Sequence, residues 1–366
     1  MQLWHVGLLG VAWAVYGGTS FAGSLVAASA KTTSPVLVLY WMLIGRACGC
    51  TAAAVLAVAL KKSLFVWPRS WWQAVAPAML PMVGNVGWVT YFALSKTQHV
   101  SVLMPLLSIY VVIPLGFALA CGRERCSLLK VLGCALVLAT GVLLGLEVGA
   151  TNKDKDARSA DFPGLNWTLN SSLNWNLTLY PDSNPDSNPN STTDTAAWTA
   201  GLFVITLVSW GLSDTISSSV PKAGVTTATL LTLNAAGYVV NTAVVGVVVH
   251  VMHSAFSDAA TWVLLTWAAV NVLYPVGWTA YTSLCRSHDG VVVVPLFGMY
   301  ILVPAVGGLV LAHEAVSPFT VAGVACGVAA SILLAWKASS VTSASSIPPT
   351  PTPTLTEQEE EERSRV

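Results

Sequence analysis

Two charged side chains stand where charge is expensive. Apolar runs place Arg46 about ten residues inside a candidate membrane span, roughly 16 Å from its outer end at ~1.5 Å per residue. Asp214 lies about six or seven residues from the inner end of another. The chain carries 17 basic and 17 acidic residues, and these two are the ones that fall well inside a span. Ionisable groups at that depth are costly and mark functional sites by default. An arginine presents a planar fork of donors to a carboxylate or phosphate, and an aspartate accepts a cation or a proton. The two either flank a solute or form a buried ion pair that holds the fold in register.

Polar aromatics and amides near span centres form the next group. Tyr110, Tyr300, Trp88, Trp278, Asn85 and Asn234 join Arg46 and Asp214 as candidate substrate-binding residues. Tyr91, Tyr281, Trp13, Tyr16 and Trp210 follow them, since such rings can stack on a ring or a cationic amine. Asn241 and Asn271 supply hydrogen bonds to a ligand or between helices. Glu124 and Glu314 fall at span ends and read as structural. Six histidines in no ligand spacing, and a lone Cys121/Cys126 pair, predict no metal site. No phosphate-binding loop, Gly-x-Ser-x-Gly elbow or His-Glu-x-x-His motif appears, so neither a nucleotide-driven pump nor an enzyme is expected, and no cofactor.

Composition explains what must position these groups. The 366 residues are 54% hydrophobic and 9% charged, against about 25% charged in soluble domains. Apolar runs of the length that crosses ~30 Å of hydrocarbon recur at roughly 3–25, 36–60, 71–94, 99–121, 127–147, 198–220, 225–252, 260–284, 290–312 and 317–336. The first ends near Ala28-Ser29-Ala30, which resembles a signal cleavage site. It lacks a basic leader and matches the sixth run, so it is read as a span.

The chain also repeats itself. Shifting Gly87–Leu144 by 190 positions lays it on Gly277–Leu334 with 18 of 58 residues identical, including Gly87-Trp88, Tyr91, Pro105-Leu106, Tyr110, Pro114, Glu124, Ser127 and Gly133. Two copies of five spans must enter the membrane from opposite sides, because five is odd. The expectation is an all-α polytopic membrane protein, with ten transmembrane helices in two inverted five-helix repeats. The first repeat covers residues 1–149 and the second 198–337. Proline pairs at 105/114 and 295/304 predict interrupted, cavity-lining helices in the fourth and ninth spans.

Lys and Arg in short connections set the orientation. With the N-terminus in the cytosol, Lys61, Lys62, Arg69, Arg123, Arg125, Lys130, Lys222, Arg286 and Lys337 lie inside, and Lys31 and Lys96 outside. Both termini are then cytosolic. The Asn/Ser/Pro-rich stretch 150–197 reads as an extracytosolic disordered loop with four glycosylation triplets, at Asn166, Asn170, Asn176 and Asn190. These point to a eukaryotic secretory-pathway or plasma membrane. Residues 338–366, ending in an acidic run, read as a disordered cytosolic tail. No basic stripe suggests nucleic acid, and the sequence leaves homodimerisation open.

Pro105 to Glu124 with Gly133 to Gly145, their counterparts Pro295 to Glu314 with Gly323, and Arg46 in the second span carry a resemblance. The chain resembles the drug/metabolite transporter superfamily, nearest its EamA-like branch, over about 290 residues. Two features depart from that pattern. Asn234 and Tyr238 stand where a second arginine would match Arg46, and the long 150–197 loop is unusual. The resemblance implies a solute carrier working by alternating access, driven by the solute gradient, exchange or protons. The alternatives are a nucleotide-sugar antiporter of internal membranes and a non-transporting membrane subunit or receptor. An antiporter should present several basic groups to a diphosphate, and Arg46 is alone at depth.

Overall fold

The computed structural model describes residues 3–29, 34–60, 65–68, 70–95, 100–121, 127–159, 191–220, 225–251, 258–288, 290–310 and 317–336. The glycosylation triplets at Asn166, Asn170, Asn176 and Asn190 lie outside the described residues, as do Glu124, Glu314, most of the loop lysines and arginines, and the 338–366 tail.

Among the described residues the structure is helical and contains no strand. In chain order the helices are α1 (Leu3–Ser29), α2 (Pro35–Ala59), α3 (Trp71–Ser95), α4 (Val100–Leu107), α5 (Val112–Ala120), α6 (Leu128–Ser159) and α7 (Ser191–Ser219). Then come α8 (Thr227–Val251), α9 (Asp258–Asn271), α10 (Tyr274–Ser287), α11 (Gly290–Gly298), α12 (Leu302–Val310) and α13 (Pro318–Trp336). Five runs within α1, α2, α7, α8 and α9–α10 are long and apolar enough to cross a membrane. Large apolar side chains stay exposed on their outer faces, among them Val55, Val247 and Trp262. Apolar exposure on helices of this length suits lipid rather than water. The protein is a multi-pass membrane protein.

Breaks in the helices follow proline chemistry. A proline has no N–H to give the carbonyl four residues earlier. For Pro114 and Pro304 those carbonyls belong to Tyr110 and Tyr300. The chain tightens into 3₁₀ turns there, Ser108–Val111 between α4 and α5 and Met299–Ile301 between α11 and α12. Both interruptions fall where the sequence predicted them. A third was not foreseen. Pro275 strands the carbonyl of Asn271, and the eighth predicted span divides into α9 and α10 at Val272–Leu273. The Trp13 indole N–H, on α1, is drawn to the Leu296 carbonyl beside the α11 break, at 2.9 Å.

One boundary differs from the sequence reading. Residues 150–159 and 191–197, assigned to the loop, continue α6 and begin α7. Ala150, Lys153, Lys155, Ala157 and Arg158 are good helix formers, and their propensity extends a helix that the apolar pattern alone ends earlier.

Glycines set the closest helix contacts, and the contacts come in matched pairs. Gly87 on α3 faces Ser209 and Trp210 on α7, while Gly277 on α10 faces Val15 and Tyr16 on α1. Gly211 meets Ile113, as Gly17 meets Val303. Gly133 on α6 meets Leu334 on α13, and Gly323 meets Leu144 in return. Small residues let helices approach in lipid, where apolar burial does not drive them together.

Hydroxyls reinforce the α3–α7 contact. The Ser209 Oγ accepts from the Gly87 N–H at 3.1 Å and donates to the Val83 carbonyl, so it spans one rung of the α3 backbone ladder. One turn away Thr90 and Thr206 share a 2.6 Å bond. Ser209→Ala should lower unfolding stability by about 1 kcal/mol, read as a reduced midpoint in denaturant titration of detergent-solubilised protein. An unchanged midpoint would mean that the hydroxyl adds nothing to the Gly87 packing.

Candidate functional site

A cavity of about 60 Å³ lies where α1, α2, α3, α7, α8 and α10 converge beside the broken α4–α5 and α11–α12 segments. That is room for a few waters or a small solute. Arg46 and Asp214 both line it, as do Tyr110, Tyr300, Trp88 and Asn85 from the predicted set, and Tyr16, Trp210 and Tyr281 from the second tier.

Arg46 is 2% exposed and clamped on several sides. Its guanidinium carbon lies 4.8 Å from the Trp88 ring centroid and 4.3 Å from that of Tyr274. Stacking of this kind is worth more when desolvated. The Nε donates to Asn271 Oδ1 at 3.1 Å, and the Asn271 amide nitrogen donates to the Trp267 carbonyl at 2.9 Å. That second bond fixes which end of the amide faces the arginine. The Trp267 indole in turn donates to the Val38 carbonyl of α2 at 3.1 Å, closing a loop between α9 and α2. The Nη2 of Arg46 has no protein partner.

Asp214 enters from α7, on the other half of the chain. Its carboxylate neighbours the Tyr110 hydroxyl, and Tyr110 neighbours Tyr300. The Oδ2 atom is buried without a partner. The two charges meet different groups: Arg46 bonds Asn271, and Asp214 faces tyrosine. They do not form the register-holding ion pair.

Asn85 is 6% exposed, lines the cavity, and has both amide atoms unpartnered. Trp210 Nε1 is unpartnered as well. Buried polar atoms are nearly always satisfied in native proteins, and both residues belong to the cavity lining.

Two predicted residues are displaced from the lining. Asn234 is fully buried against α2, where its Oδ1 accepts from the Cys50 thiol at 3.9 Å. Trp278 is 3% exposed and packed away from the cavity, because Tyr274 and Tyr281 already form the α10 wall against Tyr16 and Phe297. Tyr274, Tyr238, Ser213, Ser217 and Phe297 line the cavity without having been singled out as binding residues. Tyr238 was legible, since it stands 192 positions after Arg46, as Gly237 does after Gly45. Tyr274 was not, because its place depends on the α9–α10 break. Among the described residues no grouping of His, Cys, Asp and Glu could hold a metal.

No protein-family model matches the chain. No curated protein matches it in sequence. Twelve chains of solved structures match it. One, described only as "Crystal structure of protein", superposes with a TM-score of 0.55 and 15% identity over 92% of this chain and 99% of that one. At that identity the likeness speaks to fold alone, and function has to be argued from the site.

Proposed function

We propose that the protein is a secondary transporter of a small organic solute, of the drug/metabolite transporter kind, built from ten membrane-crossing segments in two inverted five-helix repeats. The observation that carries this reading is the cavity: a charged, incompletely satisfied polar chamber among helices broken at Tyr110 and Tyr300. Chambers of this type at a repeat seam, bordered by discontinuous helices, suit binding near the midplane. The paired packing supports the repeat. Gly87 with Trp210 answers Gly277 with Tyr16, and Gly133 with Leu334 answers Gly323 with Leu144. Exchanging the conformations of two such halves converts a chamber open to one side into one open to the other. Both termini are cytosolic in this reading, and Asn166, Asn170, Asn176 and Asn190 face the lumen or exterior. A nucleotide-sugar antiporter fits less well, since Arg46 is the one Lys or Arg in the described lining.

Two-sided accessibility tests the proposal. In a background with the seven native cysteines replaced, Ser213→Cys reconstituted in vesicles is exposed to membrane-impermeant thiol reagents from each face in turn. A transporter should label from both sides, with protection as solute is added. Labelling from one side alone would favour the receptor or subunit reading.

A further inference from the structure

The connection from α2 to α3 carries aromatic rings outside the fold and is fastened where it stands. Thr229 of α8 is fully buried, and its hydroxyl accepts from the Val66 N–H at 3.0 Å and donates to the Val66 carbonyl at 2.9 Å. Both backbone groups of one residue are thereby tied to the first turn of α8. The rings on either side stay exposed: Trp67 at 68%, Trp71 at 78%, and Phe65 and Trp72 less so. Phe65 and Trp67 keep each other company, with centroids 6.1 Å apart. Such rings settle at the boundary between hydrocarbon and headgroups, where the body is apolar and the indole N–H is wet.

Positive charge gathers at the same place. Lys61, Lys62 and Arg69 interleave with the rings in sequence, and the first acidic residue of the whole chain is Glu124. Arg286, exposed near the end of α10, donates to the Thr227 hydroxyl at 2.7 Å and to the Val225 carbonyl at 2.6 Å. A fourth cation is thus secured beside the turn of α8 that holds Val66. Because α8 begins at Thr227 and α3 at Trp71, the positive ends of two helix dipoles belong to the same rim. We propose that residues 60–72, with Arg286, bind the headgroup of an anionic phospholipid, its phosphate on the basic side chains and the rings in the interfacial layer beside it. Binding here is independent of whether the chain moves a solute. The orientation proposed above puts this rim on the cytosolic leaflet.

Charge and apolar exposure together select this ligand. A soluble acidic partner, the chain's own Glu359–Glu362 run included, would answer the cations and leave the rings in water. Phosphatidylcholine would cover the rings and bring a quaternary cation towards Lys and Arg. A free phosphate would answer the charges alone. An anionic phospholipid meets both demands: clustered basic residues beside a span attract anionic headgroups, and a guanidinium offers two phosphate oxygens a matching fork. The Thr229 clamp holds the connection in advance, so binding spends little on ordering it.

The test uses the purified full-length protein. Affinities for phosphatidylglycerol and phosphatidylcholine of the same acyl chains are measured by native mass spectrometry, and photoactivatable analogues of both are crosslinked and mapped to peptides. Phosphatidylglycerol should bind more tightly by about tenfold or more, with its crosslinks enriched over those of phosphatidylcholine in the peptide spanning 60–72. Lys61→Gln/Lys62→Gln/Arg69→Gln should bring the two affinities close to equality, while Lys31→Gln/Lys96→Gln leaves their ratio as it was. Trp67→Ala/Trp71→Ala should weaken both lipids and keep the ratio. Equal affinities in the wild type, or phosphatidylglycerol crosslinks enriched elsewhere, overturn the proposal. Both readings come from the wild type, so a variant that fails to insert or fold does not decide the matter. Displacement of phosphatidylglycerol by equimolar glycerol 3-phosphate would mean a free-phosphate site. A preference that emerges only once residues 338–366 are removed would make the acidic tail the occupant. Either result also overturns it.

Discussion

Gly45→Ala should lose on the order of 3 kcal/mol of stability, the upper part of the range for overpacking, and most of its ligand binding with it. A Cβ built at Gly45 would collide with the Ala268 carbonyl oxygen and stand 2.9 Å from its carbon. Those are backbone atoms of α9, so no rotamer change relieves the clash and the two helices must separate. A Cβ at Gly49, one turn further along α2, would collide with the Val272 carbonyl oxygen in the same way. The Gly-x-x-x-Gly spacing thus lays α2 directly on the α9 backbone. Arg46 is the next residue, and its partner Asn271 sits on α9, so any separation also opens the clamp. Heating in detergent followed by gel filtration measures the loss. Gly10→Ala is the control, since nothing lies within 4 Å of that position, and alanine there should be neutral or stabilising by up to about 1 kcal/mol. Equal stability of the two variants would mean that α2 and α9 do not approach so closely. The equivalent change at Gly237, where an added Cβ would run into the Ala78 carbonyl oxygen, should be as damaging.

The second large effect lies at Asn271, and two substitutions there should separate position from charge. Asn271→Ala removes the acceptor for Arg46 Nε and leaves a buried, charged donor unsatisfied. Hydrogen bonds to charged groups contribute about 1.5–3 kcal/mol, so stability should fall by about 2 kcal/mol. Asn271→Asp keeps an acceptor and adds a negative charge beside the guanidinium, which recovers much of that stability. It should weaken an anionic ligand group more than alanine does, because the new carboxylate competes for the same cation. The expected order of stability is wild type, then Asp, then Ala. For affinity of a carboxylate-bearing ligand it is wild type, then Ala, then Asp. Denaturant midpoints and calorimetry on the same three proteins give both orders. If affinity merely follows stability, Asn271 is structural support and does not orient Arg46 for binding.

Much of this was legible from residue types and spacing. Arg46 and Asp214 stood out because charge within an apolar run has few explanations, and both reached the cavity. The prolines at 105/114 and 295/304 announced broken helices because a missing N–H is a local fact, and the two tyrosines between them came with the breaks. Asn234 and Trp278 were equally conspicuous and lie off the lining. A helix presents its residues in a fixed rotation, but periodicity cannot say which neighbour each face meets.

What the chain determined by itself is therefore what depends on near neighbours in sequence: apolar length, hence membrane residence; the proline breaks; and the repeated pattern from Gly87 to Leu144. The tertiary structure alone decided the partners. It divided α9 from α10 at a proline that lies outside the prolines shared by the two repeats, and so delivered Asn271 and Tyr274 to Arg46 from more than 200 residues away. It also kept Arg46 and Asp214 from pairing, because each charge found nearer company across a helix contact: Asn271 and two aromatic faces for one, a tyrosine hydroxyl for the other. Contacts between distant segments depend on how closely whole helices can approach, and that distance is fixed by glycines such as Gly45 only once both helices are in place.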